Sequence, residues 1–510
     1  MTDDKVGRRA AILWEFMVVR GEHIRRRSGV ETSRRFSPTA VLLLIVVVLD
    51  VLVVAVGFWL QHYLGYDVTA SLTDIAPDTF PAGSDGLCDP SSWGFGVHCF
   101  GDYNLVRLFA FFPDPWAQNI TGFYSNYPAA GMLVFLVFGA IGELFGDVRV
   151  GLGLFLVAMT VGFSLPAIWA TKGRPIVSRI AIAAAIGPLS FPALMAIDRG
   201  NVVGFAVPIL WLLLLGLGRD RRWLVISAIV VATVVKPQYA VLVLLPLLRG
   251  RWKDTVIATL LSVGANLLAF LIWPAHFPAS VVTAVKAVLQ FGSSLSLHAQ
   301  FPPNISFARG FDSIEIALRQ LLGQETDSTY VQRVQSWIGV VILVGTIVLV
   351  IILRRRIPII VSAMLLIVSA SLFTSVSYSY YLVYAIPFAA VIFRHPASSG
   401  GVGAGLFESA RRQPLATTVA GGGIAVATAL TLTRILLPPW RPLELGHQSS
   451  DGPLVLVDTD WIPVAWFIVI VLVAIAAFRD RHWADDQDRG MSYFGTQRGN
   501  QGPAAGDGPV

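Results

Sequence analysis

The sequence predicts an all-α polytopic membrane protein with about 12 transmembrane helices. Three observations predict it. Of the 510 residues, 55% are hydrophobic and only 14% are charged. The apolar residues fall in blocks of about 20, enough to cross the hydrocarbon core as one helix. Basic residues gather in alternate connections between those blocks, as the positive-inside rule requires. The net charge of +6 sits in loops and tails. It reads as a topology signal, so no nucleic-acid partner is expected.

Residues 1–38 form a cytoplasmic N-terminal segment containing Arg25-Arg26-Arg27 and Arg34-Arg35. The segment is too long and too charged for a cleavable signal, so the first span is retained. A transmembrane domain follows over 39–478, with spans at 39–62, 149–170, 177–197, 201–218, 222–235, 238–249, 254–274, 337–353, 357–375, 380–394, 415–437 and 462–478. The cytoplasmic turns then carry Lys172, Arg174, Arg219, Arg221, Arg222, Arg249, Arg251, Lys253, Arg354, Arg355, Arg356, Arg394, Arg411, Arg412, Arg479 and Arg481. The long polar connections 63–148, 275–336 and 438–461 lie on the other face. Residues 127–145 are apolar, but a span there would put Lys172 and Arg174 outside, so an interfacial helix is expected. The short spans 222–235 and 238–249 are broken or tilted around Lys236-Pro237, because proline removes a backbone donor. Residues 479–510 form a cytoplasmic tail, rich in Asp, Gly, Gln and Pro from 485 onward.

The first outer loop carries the strongest chemical signal. It holds Cys88 and Cys99, a pair suited to a disulfide in an oxidising compartment, and then Gly101-Asp102-Tyr103. A carboxylate just outside the membrane is placed to serve as general base toward a hydroxyl on a membrane-bound acceptor. Asp102 is also placed to cap a following helix. Lys236, at the end of a span, faces either a phosphate or the interface by snorkelling. In Asp198-Arg199-Gly200-Asn201, Arg199 is suited to bidentate phosphate contact or to a pair with Asp198. Asn201 suits a sugar hydroxyl or a helix cap. Asn304 and Ser306 offer donors and acceptors in the third outer loop. Tyr103, Tyr127, Tyr380 and Tyr381 add aromatic surface for a sugar, or form the interfacial belt. Asp50 lies within the first span and requires a partner or a proton. No Walker loop, zincin motif or nucleophile elbow is present, and the 8 histidines lack metal-ligand spacing. Neither a metal nor an organic cofactor is expected, with assistance by a divalent ion left open.

Asp102-Tyr103, Tyr127-Pro128, Arg199-Gly200-Asn201, Lys236-Pro237, Arg249-Gly250-Arg251-Trp252, Asn304-Ile305-Ser306 and Ser377–Tyr381 occur in a telling order. In that order the chain, from about residue 102 to 394, resembles the GT-C glycosyltransferases of actinobacteria. The likeness is to polyprenyl-phosphate-mannose-dependent α-mannosyltransferases and to related arabinofuranosyltransferases. The resemblance implies a GT-C-like bundle with extracytoplasmic juxtamembrane helices in the plasma membrane. It implies Asp102 as base, with Lys236, Arg199, Asn304, Ser306, Tyr380 and Tyr381 on the donor phosphate, and Tyr103, Tyr127 and Asn201 on substrate. The partners implied are membrane lipids, a polyprenyl-phosphate sugar donor, mannose favoured, and a glycolipid or wall-glycan acceptor. Three departures stand out: Ala129 replaces a second proline, the turn at 198–201 lacks its glutamine, and Tyr380-Tyr381 replace paired histidines. A lipid-linked-sugar flippase using Asp50, or a scaffold for cell-wall enzymes, are the rival classes.

Overall fold

The computed structural model describes residues 100–109, 116, 127–274, 276–286, 305–307, 328–374, 377–394, 415–433, 461–481 and 483–484. The first span with Asp50, the N-terminal segment, Cys88, Cys99 and Asn304 lie outside the described residues. Among the described residues the architecture is all helical. The first helices are α1 (Gly101–Leu108), α2 (Ala129–Leu144) and α3 (Val148–Ala170). Next come α4 (Ile176–Ile186), α5 (Phe191–Arg199), α6 (Ala206–Gly218) and α7 (Arg222–Val235). After them stand α8 (Leu244–Leu248), α9 (Trp252–Ile272), α10 (Ser328–Ile352) and α11 (Ile359–Leu372). The last are α12 (Ala385–Phe393), α13 (Leu415–Leu432) and α14 (Trp461–Arg479).

The predicted order of apolar segments is present, but many of them are not full spans. Four helices, α3, α9, α13 and α14, are long and apolar enough to cross a membrane, and the bent pair α4–α5 makes a fifth if read as one span. The predicted span 177–197 breaks by 57° between Ile186 and Phe191. Spans 201–218, 238–249 and 380–394 each open with a 3-10 turn, Val202–Phe205, Pro237–Val243 and Ser379–Tyr384. The break expected at Lys236-Pro237 is therefore real, and it recurs at two other places.

Residues 129–144 form α2, which folds back against the first half of α3 as an antiparallel hairpin. Phe135 stacks on Phe155 at 5.7 Å and Phe138 meets the same ring edge-on at 5.5 Å. Gly151 lets the two backbones close. A Cβ there would strike the Phe138 carbonyl oxygen and stand 2.9 Å from the Tyr103 hydroxyl. At its other end α2 abuts α7, since a Cβ on Gly131 would lie 2.6 Å from the Val234 carbonyl oxygen. These two close approaches bring the start of α2, and Tyr127 before it, beside the end of α7 at Lys236.

The helix ends sort into two groups. At one end arginines take up terminal carbonyls, which carry the negative pole of a helix. Arg394 donates to the Trp169 carbonyl at 2.6 Å, Arg174 to that of Phe393 at 3.4 Å, and Arg249 to that of Leu217 at 2.7 Å. Arg249 and Arg251 also pair with Asp220 at 2.8 and 2.7 Å. Arg222 pairs with Asp254 at 2.8 Å. The other ends of α6, α7 and α12 lead to Asn201, Lys236 and Tyr381. The predicted segregation of basic turns from candidate site residues is thus built into the helix connectivity.

Gly151→Val is expected to cost roughly 1–3 kcal/mol by overpacking the α2–α3 hairpin. Gly153, whose Cβ would meet nothing within 4 Å, is the control. Thermal unfolding in detergent should show a lowered midpoint for Gly151→Val and a nearly unchanged one for Gly153→Val.

Candidate functional site

Each segment of the site owes its position to a local backbone rule. α5 stops at Arg199 because Gly200 adopts φ 59° and ψ 40°, the left-handed conformation that favours glycine at a helix end. Asn201 then turns extended, and its side-chain oxygen accepts from the Val203 amide at 2.9 Å, capping the 3-10 turn. The cap orients the rest of the amide. Its nitrogen donates to Asp102 Oδ2 at 2.5 Å and to the Tyr127 hydroxyl at 2.7 Å. Asn201 is therefore both the expected helix cap and a member of the site.

α7 stops at Val235 for a different reason. Proline at 237 excludes helical backbone from the residue before it. Lys236 is extended, with φ −147° and ψ 126°, and its side chain leaves the helix axis. Its Nζ lies 4.0 Å from the centroid of the Tyr127 ring and 5.0 Å from that of Tyr381. It donates to the Tyr381 hydroxyl at 3.3 Å. Lys236 is buried, so the snorkelling alternative does not apply. Standing in the break between helices, it is held below the ordinary lysine range by burial, while the Asp102 carboxylate acts the other way.

Asp102 lies in the first turn of α1, yet it does not cap that helix. Phe100 occupies the cap position in the left-handed region, φ 42°, with no side-chain cap bond. The Asp102 carboxylate instead reaches across to α5. Arg199 pairs with Oδ1 at 3.1 Å, with the acid 15% and the guanidinium 26% exposed. The Tyr127 hydroxyl donates to Oδ2 at 3.5 Å, the long limit of such a bond. Burial first, then Asp102 and Tyr381, push the Tyr127 phenol well above its usual range. It therefore remains a neutral donor.

Tyrosines close the other side. Tyr380 stacks on Tyr378 at 5.2 Å and meets Tyr381 edge-on at 4.8 Å. Tyr378 and Tyr380 lie close to Arg199. Sequence reasoning assigns Tyr380 and Tyr381 to the donor phosphate, and includes Tyr378 only as part of the tyrosine-rich junction. The repeat Tyr378-Ser379-Tyr380-Tyr381 was its only signal. Ser306 is buried, and its neighbour Ile305 donates to the Ser377 carbonyl at 2.7 Å, which ties this piece of the third loop to the tyrosine junction.

Asp102, Tyr127, Arg199, Asn201, Lys236, Tyr380 and Tyr381 are thus brought together. Tyr103 stands apart from this cluster. Its ring packs 5.0 Å from Phe155 and 6.4 Å from Phe135, and it is fully buried in the core. Burial pushes its phenol up to about 12. Residue 103 follows 102 by about 100° around α1, so it turns toward the hairpin when Asp102 turns toward α5. The geometry offers a partly exposed carboxylate, two basic side chains and several phenols. That set suits proton abstraction from a hydroxyl and contact with an anion. Among the described residues no group of three or more His, Cys, Asp or Glu is placed to hold a metal ion.

No protein-family model matches this chain, and no characterised protein matches it in sequence.

Tyr127→Phe should remove the hydroxyl shared by Asn201 and Asp102 and lower stability by about 1 kcal/mol. Tyr127→Leu should cost about 1 kcal/mol more, because the aromatic face under Lys236 is also lost. Denaturant unfolding of the two variants should show that order; equal losses would mean the ring contributes nothing to holding Lys236.

Proposed function

We propose that the protein transfers a sugar from a polyprenyl-phosphate donor to the hydroxyl of a glycolipid or wall-glycan acceptor, at the outer face of the plasma membrane. The observation that carries this reading is the setting of Asp102. It is a partly exposed carboxylate held by Asn201 and Tyr127, with Arg199 and the buried Lys236 beside it. A base near two basic side chains suits a reaction in which an alcohol loses a proton while a phosphate leaves.

In the proposed reaction, Asp102 takes the acceptor proton. The acceptor oxygen attacks the anomeric carbon from the face opposite the phosphate. The carbon–oxygen bond to phosphate breaks, its electron pair stays with the leaving oxygen, and configuration inverts. Lys236 and Arg199 stabilise the charge that develops on the polyprenyl phosphate. Tyr378 and Tyr380 offer aromatic faces to the sugar. Mannose is the favoured sugar and arabinofuranose the alternative. A GT-C-like bundle of about 12 helices fits the reading, with α1 and α2 as juxtamembrane helices and spans of about 20 residues.

The test is transfer from radiolabelled polyprenyl-phosphate mannose, and in parallel polyprenyl-phosphate arabinose, in membranes containing the chain. Asp102→Asn is expected to lose at least about 100-fold in transfer while eluting as wild type in gel filtration. Undiminished transfer by Asp102→Asn would remove Asp102 from the mechanism. No transfer from either donor by the wild type would sink the reading as a whole.

A further inference from the structure

Asp102 is occupied on both carboxylate oxygens. Oδ2 is held by Asn201 and Tyr127, and Oδ1 by Arg199. A general base needs a free lone pair toward the hydroxyl it deprotonates. Oδ2 carries two neutral donors that orient it, whereas Oδ1 carries one bond from a guanidinium and keeps its second acceptor site. Arg199 therefore stands on the one oxygen that an acceptor hydroxyl can approach.

The surroundings show what would release it. The Asp102 carboxylate acts on both Arg199 and Lys236. One carboxylate thus faces two basic side chains. Arg199 also has a buried Nε with no partner. A buried guanidinium donor without an acceptor, at a site with a second basic side chain, suits an anion. Arg199 is one-quarter exposed at the site, so an entering anion can meet it. A phosphate matches the planar fork of a guanidinium with two parallel bonds.

We propose that Arg199 is a positioning residue shared in turn between Asp102 and an anionic phosphate, so that phosphate occupancy frees Asp102 Oδ1 for the acceptor hydroxyl. This rests on the phosphate-donor reading above and adds an order to it. The donor binds first and draws Arg199 away. Asn201 and Tyr127 keep Asp102 in place. The acceptor then meets an oriented carboxylate with one oxygen open. An acceptor arriving alone must share Oδ1 with Arg199.

The test uses the full chain purified in detergent, titrated with farnesyl phosphate and followed by microscale thermophoresis. Four proteins are compared: wild type, Asp102→Asn, Arg199→Met and the double variant. If Asp102 competes with phosphate for Arg199, Asp102→Asn should tighten farnesyl phosphate about tenfold, and Arg199→Met should weaken it by a similar factor. In the Arg199→Met background, Asp102→Asn should have no further effect. An equal tightening in that background means Asp102 acts through its field alone and overturns the proposal. So does an absence of tightening in the single variant. Farnesyl phosphate that binds the wild type without this coupling sinks the shared-arginine order and leaves the donor reading standing. A wild type that does not bind it removes the donor reading itself. Should Arg199→Met fail gel filtration, Arg199→Gln takes its place with the same expectations.

Discussion

A carboxylate enclosed by apolar helices must be matched by donors or by opposite charge, because the bundle interior cannot solvate it. Asp102 is matched from three separate stretches of chain: Arg199 and Asn201 at the end of α5, Tyr127 before α2, and Lys236 through the Tyr127 ring. Asn201 lies 99 positions from Asp102 in sequence. The bond between them therefore requires α1, α2 and α5 to be docked together. Once docked, the same contacts fix the start of α2 against α7 and hold Lys236 under an aromatic face. Placing this one acid organises a whole end of the bundle.

The breaks in the helices serve the same end. A continuous helix satisfies its own backbone and directs every side chain away from its axis. At Gly200-Asn201, at Lys236-Pro237 and at Ser377–Ser379 the helical path stops and restarts as a 3-10 turn. Interrupted helices are tolerated in an apolar setting only where the freed groups find partners or line a site. Here the Asn201 cap satisfies the Val203 amide, and the Ser377 carbonyl accepts from Ile305. Full-length spans such as α3 and α9 have no such interruptions and supply the rigid frame. The opposite end, where Arg394, Arg174 and Arg249 occupy terminal carbonyls, shows how the same backbone problem is solved with cations instead.

Parts of this were legible from residue order alone. Lys236-Pro237 announces a break because proline acts on its immediate neighbour. Gly200-Asn201 announces a helix end and a new cap for equally local reasons. Asp102 and Tyr127 attract notice as polar and aromatic residues flanking apolar runs. Tyr103, beside the key acid, packs its ring into the core instead of joining the cluster. Its ring direction depends on how α1 sits against the α2–α3 hairpin, and adjacent residues on a helix face different neighbours. The span lengths mislead. Hydropathy sees an apolar run at 177–197 but not the 57° bend within it, which leaves composition unchanged.

By itself the sequence determined the all-helical, apolar character of the chain, the order of its segments, the gathering of basic residues in alternate turns, and the backbone breaks at Gly200 and Pro237. All of these follow from composition or from interactions between near neighbours. Only the tertiary structure decided that Asp102 is paired with Arg199 rather than capping its own helix, that Lys236 is buried against Tyr127 and Tyr381, and that Tyr103 belongs to the core. Those outcomes depend on which side chains meet across helices, a matter of packing geometry over distances at which residue order carries no direct force.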